Sequence, residues 1–233
     1  MLKLISSMAT RQVLTELAAQ WQLTSAVKVV IESVGGVDAA RRVQAGEAFD
    51  GVVLASDAID KLVAGGYLVA GSRVDLAQSS VALAVKAGAQ PPDISTVAAL
   101  RSALVAAPSI GYSTGPSGVA LIKLFERWGL PDELQSRIVQ APPGVPVGTL
   151  VARGEVSLGF QQLSELMHLD GITVVGLLPA PAAITTVFSA AICTLSTQQG
   201  KLALLFDFMQ TTQAAMVKKQ HGMDATGVLA DSA

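Results

Sequence analysis

The sequence predicts a two-lobed α/β protein. Three observations carry that prediction. Strand-like and helix-like segments alternate along the first part of the 233-residue chain, which implies a mostly parallel sheet. Hydrophobic residues make up 51% and charged residues 15%, a globular composition rather than a disordered one. Aromatic residues are only 4%, so the core is built from Ala, Val, Leu and Ile, a palette that suits buried parallel strands and the helices packed on them.

Taken in order, residues 2–6 read as a short strand, and residues 10–21 place Val13, Leu14, Leu17, Ala18 and Trp21 at helical spacing. Residues 27–32 form a β-branched strand, Gly35 and Gly36 a turn, and residues 38–46 a helix ending on Gly46. Residues 51–55 are a short buried strand, after which Ser56 or Asp57 caps a helix that runs to Gly65 and Gly66. Further strands are expected at 81–86, 109–111, 138–140, 157–160 and 172–175, and further helices at 97–105, 118–128 and 147–153. A Pro/Gly loop fills 141–146, the chain runs extended through 185–195, and helices at about 198–210 and 213–220 close it.

Several function classes drop out. Net charge is −2 with no basic stripe, so the chain is not built to neutralise a nucleic-acid backbone. A single cysteine, Cys193, excludes an internal disulfide and a cysteine-based zinc site within one chain. His168 and His221 sit in no metal-ligand motif, so no metal and no cofactor is expected. No charged residue occurs from Ile172 to Gly200, yet Pro179 and Pro181 and a run of Thr, Ser and Gln interrupt the stretch. Buried strands joined by a turn are expected there, not membrane insertion. The N-terminus shows no basic leader, apolar core and cleavage site, which leaves a cytoplasmic chain or one whose leader was removed, then periplasmic.

Ligands of open α/β sheets bind beyond the carboxyl ends of the strands, so polar or Gly-rich turns that leave a strand and open a helix are the candidates. Four answer that description. The first holds Ser6, Ser7, Thr10 and Arg11, whose hydroxyls and neighbouring helix N–H groups can donate to an anion, or simply cap the helix. The second is Gly35-Gly36-Val37-Asp38, where paired glycines let a backbone approach closely. The third, Gly111 to Gly118, offers Ser113, Thr114 and Ser117 and lacks the Gly-Lys-Ser/Thr of a phosphate loop. The fourth couples the Pro-rich loop around Gly144 and Val145 to the amides of Gln161 and Gln162. No nucleophile, histidine and acid stand in a known order. Asp57, Asp60 and Glu165 read as caps or solvated carboxylates.

The order of these turns resembles the periplasmic molybdate-binding protein family, of the type II solute-binding fold. The resemblance covers nearly the whole chain. It is strongest at Arg41-Arg42-Val43-Gln44-Ala45-Gly46-Glu47-Ala48-Phe49-Asp50, leading into Val53-Leu54-Ala55-Ser56-Asp57. It recurs at Pro116-Ser117-Gly118-Val119, Leu150 to Glu155 and Leu158-Gly159-Phe160. It implies two lobes joined by two crossing strands near 81–86 and 185–195, with a ligand cleft between them. Residues 1–79 and 186–233 would form the first lobe and residues 80–185 the inserted second. It implies a small anionic ligand, an oxyanion such as molybdate or a small carboxylate, and an ABC transporter permease as partner. The family's first-turn serine maps onto Ser6 or Ser7, its second-turn serine onto Gly36 or Val37, its third-helix small residue onto Ser117, and a loop amide onto Gly144 or Val145. Its late tyrosine is replaced by Gln162, and the two lost hydroxyls count against molybdate itself.

Part of this family resembles aconitate isomerase, which moves a double bond in a small tricarboxylate. Arg11 and Arg41 are then candidate carboxylate clamps. Such chemistry needs a positioned titratable group, and the sequence identifies none; Asp38, Asp57 or Lys123 would have to serve.

Overall fold

The first strand, β1 (Leu2–Ser7), turns Leu2 and Leu4 to one face and Ile5 to the other. The computed structural model describes residues 1–129 and 132–226. The chain divides into two compact units, Met1–Ser79 with Thr186–Ala233, and Ser80–Thr185. Residues 227–233 of the expected first lobe lie outside the described residues.

In the first unit, β1 is followed by a 3-10 turn at Met8–Thr10 and α1 (Arg11–Thr24). Then come β2 (Val29–Val34), α2 (Gly36–Gln44), β3 (Gly51–Ala55) and α3 (Ser56–Ala64). β1 pairs in parallel with β2 on one side and β3 on the other. All five residues of β3 are buried because helices cover both faces of this sheet. One face packs Leu2, Leu4 and Val53 under Val13, Leu14, Leu17 and Trp21 of α1. The opposite face packs Ile5, Val52 and Leu54 against Val43 of α2 and Ile59 and Leu62 of α3.

The chain leaves this unit along β4 (Val74–Lys86), longer than the strand expected at 81–86. Its first half is polar (Asp75, Gln78, Ser79), so no apolar run announced it. The second unit contains α4 (Val97–Ala106), β5 (Ile110–Tyr112), α5 (Pro116–Arg127), α6 (Asp132–Gln135), β6 (Ile138–Gln140) and α7 (Val147–Arg153). It continues with β7 (Leu158–Gln162), the single turn α8 (Leu163–Leu166) and β8 (Ile172–Leu177). β5 lies in parallel between β6 and β7, while β7 and β8 both pair antiparallel with β4. One face of this sheet buries Leu83, Ile110 and Phe160 against α4 and α5, with Phe125 edge-on to Phe160 at 6.1 Å.

The other face is shaped by two glycines. Gly111 of β5 and Gly159 of β7 are register partners. A Cβ on Gly159 would lie 2.3 Å from Val151 Cγ2, and one on Gly111 3.0 Å from Val147 Cγ1. This bare patch lets α7 settle onto the strands, and that fixes where the loop entering α7 must sit.

The chain returns to the first unit along β9 (Thr185–Ile192), antiparallel to β3, and ends in α9 (Gln199–Phe208), α10 (Thr212–Gln220) and β10 (Asp224–Ala225) on β4. The charge-free stretch is therefore β8 and β9 joined by a short turn, and among the described residues no helix is long and apolar enough to cross a membrane. One expected cap differs. Ser56 and Asp57 lie inside α3, whose cap position is Ala55, and Asp38 lies in the first turn of α2, capped by Gly35. Neither Gly35 nor Ala55 carries a side chain that can accept a hydrogen bond, so neither helix has a side-chain cap.

Candidate functional site

The register of each parallel sheet decides which turns meet. In the first unit Ser7 pairs with Val34 and Ser6 with Val53, so the turns after β1, β2 and β3 leave the same edge. Ser6 is fully buried, and its Oγ lies 2.8 Å from the Ser33 Oγ of β2. Thr10 Oγ1 donates to the Ser7 carbonyl at 3.1 Å and lies 3.5 Å from Ser7 Oγ. Gly36 is tucked beside Ser7, since a Cβ there would stand 3.8 Å from the Ser7 Cβ. The first two candidate turns are thus one cluster, carrying Ser6, Ser7, Thr10, Gly36 and the exposed Val37, with Ser33 added.

The hydroxyls of this cluster are not ordinary caps. Neither Ser7 nor Thr10 bonds a helix amide through its side chain, and the N-termini of α1 and α2 carry no side-chain cap. Elsewhere Thr96 and Thr211 cap α4 and α10 in the usual manner. The first-turn amides of α2 therefore have no side-chain partner, whereas the Arg11 amide at the start of α1 donates to the Met8 carbonyl of the preceding 3-10 turn. Arg11 opens α1 with an exposed side chain, and no ion pair of the described residues includes it. Arg41 instead pairs with Asp38, which removes it as a free carboxylate clamp. Arg42 holds Glu32 and, at 2.7 Å, Glu47, and its guanidinium lies over Phe49, so it braces α2 instead of projecting freely into solvent.

In the second unit Tyr112 pairs with both Gln140 and Phe160, so the segments after β5, β6 and β7 also leave one edge. The first brings Ser113 and the buried Ser117, whose hydroxyls lie 3.3 Å apart at the start of α5, with Thr114 exposed between them. Gly118 is required there, because a Cβ would fall 1.8 Å from the Ser113 carbonyl oxygen. The N-terminus of α5 has no side-chain cap. The second segment holds Gly144 and Val145. Val145 N–H is spent on the Pro142 carbonyl at 3.0 Å, which makes Gly144 the better-placed amide donor of the two.

The third segment departs most from the sequence reading. Gln161 and Gln162 are both buried, each 3% exposed. Gln161 Oε1 accepts from the Val147 amide at 2.8 Å and the Gly148 amide at 3.4 Å, and its Nε2 donates to Glu165 Oε1 at 2.8 Å. Glu165 is neither a cap nor a solvated carboxylate: burial pushes its pKa up to about 7, against the lowering pull of the Gln161 hydrogen bond. Ser33 is the residue the sequence did not single out, and Glu165 is the one it set aside as a cap or solvated carboxylate. The four-residue spacing of Gln161 and Glu165 was the one visible hint; Ser33 left none.

The suggested bases fare poorly. Asp38 is paired with Arg41, Asp57 is exposed and 4.0 Å from Lys61, and Lys123 is exposed on α5. His168 is exposed, and His221 lies 2.7 Å from Glu16 in the first unit.

Comparison with known proteins matches this architecture. Residues 2–224 match the family described as bacterial extracellular solute-binding protein. The chain is 37% identical over 228 residues to aconitate isomerase from a Pseudomonas species, covering 95% of this chain and 87% of that protein. The periplasmic molybdate-binding protein of Azotobacter vinelandii shares the fold with a TM-score of 0.80 at 22% identity, over 97% of this chain and 100% of that one. The tungstate ABC transporter protein of Geobacter sulfurreducens does so with a TM-score of 0.73 at 17% identity, over 94% and 97%. From the family match over almost its whole length, and from an α/β fold with uncapped donor turns at the strand ends, this chain belongs to the bacterial extracellular solute-binding protein family.

Proposed function

We propose that the chain binds a small carboxylate anion through hydroxyl and amide donors at its strand-end turns. One observation carries the reading. Ser7, Thr10 and Ser117 stand at the starts of α1 and α5 without capping them, so their hydroxyls can turn to an anion. Arg11 turns the choice toward carboxylate, since a guanidinium matches a carboxylate bidentately and no acidic side chain of the described residues pairs with it. Gly36 and Gln162, in place of hydroxyls, point the same way: they offer space and an amide. As a receptor the chain would act in the periplasm and deliver its ligand to an ABC transporter permease. Titration calorimetry with molybdate, tungstate, sulfate, citrate and trans-aconitate tests it. Heat with the carboxylates is expected, and silence with all five overturns the reading.

A second reading has its own support, the 37% identity to aconitate isomerase over 95% of the chain. In that reading the bound tricarboxylate undergoes a shift of its double bond. Incubation with trans-aconitate, followed by resolution of the cis isomer, decides it.

A further inference from the structure

We infer that Glu165 carries the proton in that double-bond shift, with Gln161 as the residue that positions it. The inference rests on the isomerase reading. It starts from a cluster at the carboxyl end of β7. Gln161 is fixed at both ends of its amide, by the Val147 and Gly148 N–H groups on one side and by Glu165 Oε1 on the other. The Glu165 carboxyl is therefore held by one oxygen. Among the described residues its Oε2 has no hydrogen-bond partner, so that lone pair is left to meet a C–H bond. The cluster leaves the same edge of the sheet as Ser113, Ser117 and the loop at 142–147, where the candidate donors stand.

The chemistry balances with a single carboxylate. Glu165 removes a proton from the methylene carbon of the unsaturated acid. The electron pair of that C–H bond becomes the new double bond, and the old double bond takes the proton back from the Glu165 carboxylic acid at its far carbon. One C–H bond breaks and one forms, with no change in oxidation state. Hydroxyl and amide donors at the same sheet edge hold the carboxylates over which the intermediate charge spreads.

A group that both takes and returns a proton works best with a pKa near the working pH. Burial places Glu165 at about 7. The titratable groups on the surrounding elements leave it alone. Arg153 at the far end of α7 is engaged with Glu155, Lys86 ends β4 beside Gly154, and His168 and Asp170 follow α8; among the described residues the side chain acting on the Glu165 pKa is Gln161. Lys218 and Cys193, whose pKa values burial also shifts toward the neutral form, both lie in the first unit.

The test is deuterium incorporation and isomerisation of trans-aconitate in deuterated water, with binding measured in parallel by calorimetry. Glu165→Gln, which keeps the shape and removes a buried charge, is expected to cut both exchange and isomerisation about a thousandfold. Its affinity for trans-aconitate should stay within about threefold. Glu165→Asp should retain part of the activity. The wild-type rate should rise with pH along a limb near 7, and Gln161→Met should move that limb to higher pH by removing the bond that lowers the pKa. Full exchange by Glu165→Gln overturns the inference and leaves the isomerase reading standing. Binding without isomerisation by the wild type overturns both and leaves anion binding intact. No binding at all overturns the proposed function with them.

Discussion

Ser6 and Ser33 meet hydroxyl to hydroxyl at 2.8 Å across β1 and β2, although they are 27 residues apart in the chain. Ser6 has no exposed surface, and its alternative partner is the Ser7 carbonyl at 3.3 Å. Ser33 thus holds the first turn in shape without belonging to it. Ser33→Ala is expected to cost about 1 kcal/mol of stability, the usual net worth of such a bond. Ligand affinity should fall about fivefold, the same energy expressed as binding. Chemical denaturation and calorimetry on one preparation check both; unchanged affinity would remove Ser33 from the site.

Gly118 should tolerate no side chain. The added Cβ would stand 1.8 Å from the Ser113 carbonyl oxygen, a backbone atom that cannot swing aside. Gly118→Ala is expected to destabilise by about 3 kcal/mol and to disturb the Ser113–Ser117 pair. Gly200, also helical but with nothing within 4 Å of its Cβ position, is the control. Gly200→Ala should stabilise by about 0.5 kcal/mol through the unfolded state. Equal melting shifts in the two variants would contradict the packing argument.

Arg11 and Arg41 should separate in a binding assay. Arg11→Ala is expected to weaken carboxylate binding by about 10- to 100-fold, the worth of a charged hydrogen bond, with little change in stability because the side chain is exposed. Arg41 is already committed to Asp38, so Arg41→Ala should leave affinity nearly unchanged. The reverse ranking would place the clamp on α2.

Glu165 gives the fold a pH dependence of known sign. Its folded pKa, about 7, lies above its ordinary 4.5, so the folded state holds this proton more tightly than the unfolded state does. Its stabilising contribution is full below about 4.5 and is lost as pH rises through about 7, amounting to roughly 3 kcal/mol at most. Glu165→Gln should flatten stability across that window and make the protein more stable than wild type above pH 7. Denaturant midpoints from pH 4 to 8 would show it, and parallel curves for the two proteins would count against a buried carboxylate.

Local pattern determined most of the secondary structure. The strand at Gly51–Ala55 and the helix at Val147–Arg153 have the boundaries their residues imply, because a continuous apolar run and a Pro-to-Gly bracket are local signals. The polar half of β4, the single turn α8 and the short β10 gave no such signal, since their stability comes from neighbours in space. The four candidate turns were legible for the same local reason: each joins a strand to a polar or glycine-rich segment.

What those turns do was decided by tertiary structure. Ser7 and Thr10 look like caps in one dimension, and only the path of the chain shows their hydroxyls turned away from the helix amides. Ser33 joins Ser6 through strand register, a long-range property that no short segment encodes. Glu165 reads as a solvated acid until α7, seated on Gly111 and Gly159, brings its amides onto Gln161 and the surrounding protein removes water from the carboxyl. A residue's type is written in the sequence. Its protonation and its hydrogen-bond partners depend on what the fold places around it, because desolvation and hydrogen bonding act through space and not along the chain.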